Sequence, residues 1–318
     1  MNIKNILFIC VLFSSMSAST GSLGENLPLF SILPFIGLLL SIAIVPLIAP
    51  MFWHHNFGKI SAFWAISFLF PFIMWVGFDE ALYQFLHAIL LEYVPFILLL
   101  LALFTISGGI RLKGYLAGTP KVNTLILFIG TVLASWMGTT GAAMLLIRPI
   151  IRSNKNRKNK VHTIIFFIFL VANIGGSLTP LGDPPLFLGF LHGINFFWTT
   201  KALFLPMLVS SLILLSVYFL LDTYYCKKEK YTVKVDEYKE PLSIDGKGNF
   251  ILLGGVVVAV LISGFWKPLF NDITIHGIHL QIPNIMRDIS LLLLTGLSWR
   301  YTDRKIRNQN GFTWFPIL

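Results

Sequence analysis

The residues of this chain best equipped for chemistry lie between Ala172 and Phe190, in the stretch ANIGGSLTPLGDPPLFLGF. Apolar sequence flanks it on both sides, which places it at membrane depth. It nevertheless carries Asn173, Gly175, Gly176, Ser177, Thr179, Pro180, Gly182, Asp183, Pro184 and Pro185. A proline removes a backbone donor and clashes with the preceding turn, so three of them cannot sit inside one unbroken helix. Broken backbone inside a bilayer is tolerated only where protein buries it or where it lines a watery cavity. Asp183 reads as the only acid placed well inside an apolar span, and an ionisable group there marks a functional site by default.

A second polar interruption falls at Gly138-Thr139-Thr140-Gly141. Helix breaks leave carbonyl ends that can hold a cation and amide ends that can hold an anionic group. Gly138, Gly141, Gly175 and Gly176 allow close backbone approach. Thr139, Thr140, Asn173, Ser177 and Thr179 add neutral oxygens, and hard cations such as sodium take oxygen ligands. The expected sodium site is Thr140, Asn173, Thr179 and Asp183. A proton and a sodium ion would compete for that carboxylate, since either neutralises it. A plainer role for Asp183 is to cap a second half-helix whose first turn is Pro184 and Pro185. The two roles are compatible.

The elements that must position these residues follow from hydropathy. The composition is 56% hydrophobic and 12% charged, with a mean hydropathy of +0.78. Soluble domains carry about 25% charge, so this composition is that of an integral membrane protein. Residues 1–20 combine a lysine, a short apolar core and small residues, as a secretory signal peptide does. Spans near the ~20 residues needed to cross a bilayer are expected at 28–49, 60–77 and 93–110. The segment 121–150 is expected to enter and return as a re-entrant hairpin with GTTG at its tip. A broken span at 162–196 and a span at 202–224 follow. Residues 226–248 read as a flexible cytoplasmic linker, and spans at 249–266 and 286–299 close the chain. Residues 267–285 read as an outer loop with a little irregular extended structure.

Charge tests this arrangement. The proposed cytoplasmic segments hold 20 of the 24 Lys and Arg residues, and the outer segments hold only Lys201, Lys267 and Arg287. That is the positive-inside bias, and it emerges only if 121–150 is re-entrant. The net charge of +10 therefore reflects cytoplasmic loops and does not point to nucleic acid. Arg148 reads as a side chain that snorkels to the interface, with attraction of an anion as the alternative. His162 and His192 read as interfacial, as do Trp198, Trp266 and Trp299. The two cysteines, Cys10 and Cys226, suggest neither a disulfide framework nor a metal cluster. No nucleotide loop, zinc spacing or nucleophile motif is present, so the chain does not read as an enzyme.

At these residues the chain resembles the ion transporter superfamily, which includes NhaD-type sodium/proton antiporters, arsenite permeases, and citrate and dicarboxylate carriers. ANIGGSLTPLGDPP looks like its discontinuous-helix motif, NIGG…T.IGDPP. GTTGAAMLLIRPIIRSN looks like the matching hairpin in a subgroup of sodium/proton antiporters or citrate transporters. The similarity covers residues 25–318. It implies an all-α polytopic inner-membrane protein, an inverted-repeat secondary transporter needing no cofactor beyond Na⁺ and H⁺. It also implies a dimer. Carried over, the hairpin positions are Gly138, Thr139, Thr140 and Gly141, and the broken-helix positions are Asn173, Gly175, Gly176, Thr179, Gly182 and Asp183. On this reading 21–225 is a first repeat and 249–318 a partial second repeat. The second hairpin and second broken helix do not appear before Leu318, so either the gene is truncated or the remainder is a separate C-terminal half that acts as a partner, and the chain alone is expected to transport poorly. The leading expectation is sodium/proton antiport coupled through Asp183. A citrate or other carboxylate carrier, and a non-transporting remnant, are the alternatives.

Overall fold

A computed structural model of the chain describes residue 24 and residues 27–114, 116–229, 241–266 and 272–314. The expected signal peptide, the middle of the linker at 230–240 and the C-terminal residues 315–318 lie outside the described residues. The described chain is almost entirely helical, and seven helices are long and apolar enough to cross a membrane. This is a multi-pass α-helical membrane protein. It divides into two compact units, one ending at Leu86 and one beginning at His87.

In the first unit, α1 (Leu33–Ile48) and α2 (Pro50–Val76) pack against each other. The Trp64 indole lies over Gly37, where a Cβ would stand 2.4 Å from the ring, and its Nε1 donates to Ser41 Oγ at 3.0 Å. The second span thus begins at Pro50, ten residues before the expected start. Hydropathy missed this because His54, His55 and Lys59 are tolerated on exposed faces of α2. Asp79 and Glu80, which fall between the expected spans 60–77 and 93–110, form the first turn of α3 (Phe78–Ala88), where acids favour the helix N-terminus.

The second unit is built around α4 (Val94–Gly108), which follows a π turn at Ile89–Tyr93. Residues 102–108 are buried on every side, as befits a helix apolar all round. After it come α5 (Pro120–Met137), α6 (Thr139–Ser153), α7 (Val161–Leu170), α8 (Pro184–Leu191) and α9 (Trp198–Lys228), of which α6 and α8 pack against it directly. They share one apolar core with α10 (Gly248–Phe265) and α11 (Ile282–Tyr301). The last of these is longer than the expected 286–299 and, with Arg287 and Asp288 inside it, is not among the seven apolar helices.

Two short antiparallel ladders complete the unit. β1 (Arg111–Lys113) pairs with β2 (Ser243–Asp245), so the linker is anchored at its far end. β3 (Ile273–Ile275) pairs with β4 (Ile278–Leu280) across His276 and Gly277, both at positive φ. The terminal helix α12 (Arg304–Gln309) docks through Arg307, whose guanidinium donates to Thr105 O at 2.5 Å and Ser298 O at 2.8 Å. Those carbonyls lie near the C-terminal ends of α4 and α11, where a cation is favoured. Trp299 and Phe312 cover its two faces, with ring centroids 5.1 and 5.3 Å away. Burial lowers the Arg307 pKa to about 10, which keeps it charged at neutral pH. Trp299, expected as an interfacial anchor, therefore packs on a buried arginine.

Candidate functional site

The two interruptions read from sequence are both real breaks in helix. Gly138 closes α5 and opens α6, with φ +77° and ψ 151°, a conformation only glycine adopts without strain. The two arms return on each other: at their far ends the Asn123 and Asn154 amides exchange two hydrogen bonds, each 2.9 Å. After α7, the chain loses regular helix at Val171, makes a 3₁₀ turn at Ile174–Leu178 and resumes as α8 at Pro184.

The broken segment is satisfied largely by the hairpin. Ser135 Oγ donates to Gly175 O at 2.5 Å, and Thr179 Oγ1 donates to Ser135 O and accepts from Leu181 N. From α9, Thr199 and Thr200 donate to Leu178 O at 3.0 and 2.6 Å. The tip itself touches the break: Thr139 N donates to Gly182 O at 3.1 Å. Thr139 and Gly182 are the chain neighbours of Thr140 and Asp183, so the backbone of the tip and that of the broken segment meet beside these two residues.

The glycines make this approach possible. A Cβ on Gly175 would stand 2.7 Å from Thr131 O, and one on Gly176 would stand 2.6 Å from Thr139 Cγ2. On Gly182 it would stand 2.1 Å from Gly176 O, a backbone atom that cannot move aside. Gly182→Ala is therefore expected to destabilise the purified chain by about 1–3 kcal/mol or more. Gly254→Ala, in open space on α10, should do no harm. Thermal unfolding in detergent compares them, and equal midpoints would contradict the close approach.

Among the predicted ligands, Thr179 is consumed by its two backbone hydrogen bonds and serves the break itself. Ser177 Oγ donates to Ile174 O at 2.8 Å. Gly141 is buried against α4, its would-be Cβ 2.5 Å from Ser107 Oγ. Thr140 and Asn173 are exposed, Thr139 is half-buried, and their side chains make no hydrogen bond among the described residues.

Asp183 occupies the N-cap position of α8, yet its carboxylate makes no capping hydrogen bond. The reason lies in the prolines: Pro184 and Pro185 have no N–H to offer. The next amides, Leu186 N and Phe187 N, go to the Asp183 carbonyl at 3.1 and 3.4 Å. Side-chain capping, one of the two expected roles, is therefore not realised. A half-buried carboxylate is left with no partner among the described residues. At the start of α6, the amides of Thr140 and Gly141 make no hydrogen bond outside their helix among the described residues, a terminus that favours an anionic group.

Sequence reasoning missed three features. Asp222, near the end of α9, is fully buried. It receives Arg157 Nη1 at 2.5 Å, Asn123 Nδ2 at 3.1 Å and Tyr218 OH at 3.2 Å, and lies 2.8 Å from His162 Nε2. His162 is thus buried in a polar cluster, and Arg157 is not a solvated loop charge. His192, which is exposed, lies 3.6 Å from Glu92. Ser107 is the third: its hydroxyl is buried beside Gly141 with no hydrogen-bond partner. Its only trace in the sequence is the polar run Thr105-Ile106-Ser107 at the end of an apolar span.

A protein-family model described as "Putative citrate transport" matches residues 24–318. A search of curated proteins and a search of solved structures each return no match.

Proposed function

Starting from the premise that this chain belongs to the citrate transport family, we propose that it forms a cation-coupled secondary carrier of citrate or a similar carboxylate in the inner (plasma) membrane. The observation that carries this reading is the 3.1 Å hydrogen bond from Thr139 N to Gly182 O, which joins hairpin tip and helix break. Citrate is a multiple anion at neutral pH, and the ionised Asp183 repels it. A sodium ion or proton on Asp183 removes that repulsion. The free amides of Thr140 and Gly141 then stabilise a substrate carboxylate. Binding of cation and anion is thereby linked, and each raises the affinity for the other. Thr139, Thr140 and Asn173 supply neutral oxygens, and Ser107 a further hydroxyl behind the tip. The inverted-repeat architecture and dimerisation belong to the same proposal.

Sodium/proton antiport remains a second reading, favoured by the unpaired Asp183 carboxylate. The two separate in proteoliposomes holding the full chain. A carboxylate carrier takes up radiolabelled citrate when sodium is applied outside and does so little in choline. Sodium-driven proton movement with citrate absent, and no citrate uptake, would replace the first reading with the second.

A further inference from the structure

At the opposite end of the hairpin from its tip lies a cavity of about 460 Å³ that the transport reading does not use. Arg111, Arg148 and Arg152 line it with Gln309, and Leu145 and Ile147 give it an apolar side. Arg148 is nine residues along α6 from Thr139, about 13 Å at helical rise, so this is not the candidate transport site. Two of the arginines are held by the protein. Arg111 donates to Gln309 Oε1 at 2.6 Å and lies 3.6 Å from Asp245, and Arg152 donates to Leu112 O at 3.1 Å. Arg148 is exposed and has no partner among the described residues.

The place of Arg148 is nonetheless built. Its guanidinium lies directly on Gly311, where a Cβ would fall 1.5 Å from Nη2. Gly311 has φ +63°, a conformation that favours glycine, as the chain leaves α12. The end of α12 is fixed by Asn310, whose amide donates to Ile110 O at 3.0 Å and Gly108 O at 3.3 Å. Three guanidinium groups thus line one cavity, and among the described residues the carboxylate beside them is that of Asp245.

We infer that this cavity binds a phosphate group, and that its bearer is an anionic phospholipid. The cavity exceeds what a free oxyanion fills, and its apolar side suits the glycerol and first acyl carbons of a lipid. Its arginines belong to the positive-rich side, where anionic headgroups are attracted to basic clusters. Guanidinium groups match phosphate oxygens in a planar, two-point geometry.

Native mass spectrometry of the full purified chain tests this with phosphatidylglycerol, phosphatidylcholine as the neutral comparison, and inorganic phosphate as competitor. Phosphatidylglycerol should be retained over phosphatidylcholine, and Arg148→Gln should weaken its binding about fivefold. Arg152→Gln should do the same, whereas Lys201→Gln, at the far end of α9, should leave it unchanged. Equal retention of the two lipids overturns the inference, and so does undiminished binding in both arginine variants or equal loss in Lys201→Gln. Displacement of phosphatidylglycerol by inorganic phosphate at millimolar concentration would overturn the lipid as the bearer.

Discussion

Asp183→Asn is expected to cut sodium-coupled citrate uptake by the full chain roughly 10- to 100-fold, the range that corresponds to losing about 1.5–3 kcal/mol of charge-assisted binding. The same variant should leave the thermal midpoint within about 2 °C of the parent. Both halves of this expectation follow from one local fact. Pro184 and Pro185 deny the carboxylate the amides that an N-cap acid normally receives, and the Asp183 carbonyl takes the next two. Its charge enters no hydrogen bond or ion pair among the described residues, so it is available to a cation. Asparagine keeps the volume and removes the charge. Uptake at parental rates with intact sodium dependence would show that Asp183 is not the coupling group.

Asp222→Ala should give the reverse pattern: a loss of about 3–5 kcal/mol, or roughly 10 °C, since it takes from the buried Arg157 guanidinium the nearer of its two carboxylates, Glu229 being 3.8 Å away. Asp222 ties together four segments: Asn123 at the start of α5, Arg157 after α6, His162 in α7 and Tyr218 in its own helix. It is the clasp at the base of the hairpin. The double variant Arg157→Met with Asp222→Leu should recover part of the loss, because an apolar pair carries no orphaned charge. Thermal unfolding of the three proteins in one detergent makes the comparison, and a single variant as stable as the parent would remove the clasp from the account. Glu229 extends it, accepting from Lys158 N at 3.2 Å and Asn159 N at 2.7 Å. Burial pushes the Glu229 carboxyl up, but these amides and Arg157 outweigh it and hold it below its ordinary 4.5. Its contribution is therefore present above pH 4.5 and fades as the pH falls through the lowered value.

Hairpin and break were legible because their signals are local. Three prolines and the glycine pairs cannot be continued as helix, whatever packs against them, and Gly138 announces a turn in the same way. The clasp was not legible because its members are far apart in sequence and each has an ordinary local reading. Arg157 reads as one more positive residue in a loop of five, and His162 as a polar residue at a span edge. Only the fold brings them to Asp222, which itself sits two residues inside the expected end of its span. Ser107 escaped for the same reason, since its importance lies in facing Gly141 across a helix contact. The β1–β2 pairing joins residues more than 120 apart, which no periodicity reports. The role of Asp183 was half legible: its N-cap position follows from the prolines, but its freedom from capping required the course of the backbone amides.

The claim on which the account rests is that hairpin tip and broken helix form one ion site whose charge is Asp183. Its most direct test is the rate at which a maleimide labels Thr140→Cys in the full chain, with Cys10 and Cys226 replaced by serine. Sodium together with citrate should slow labelling relative to choline, and adding Asp183→Asn should abolish that protection. A labelling rate indifferent to sodium and citrate, or protected equally with Asp183→Asn present, would contradict it.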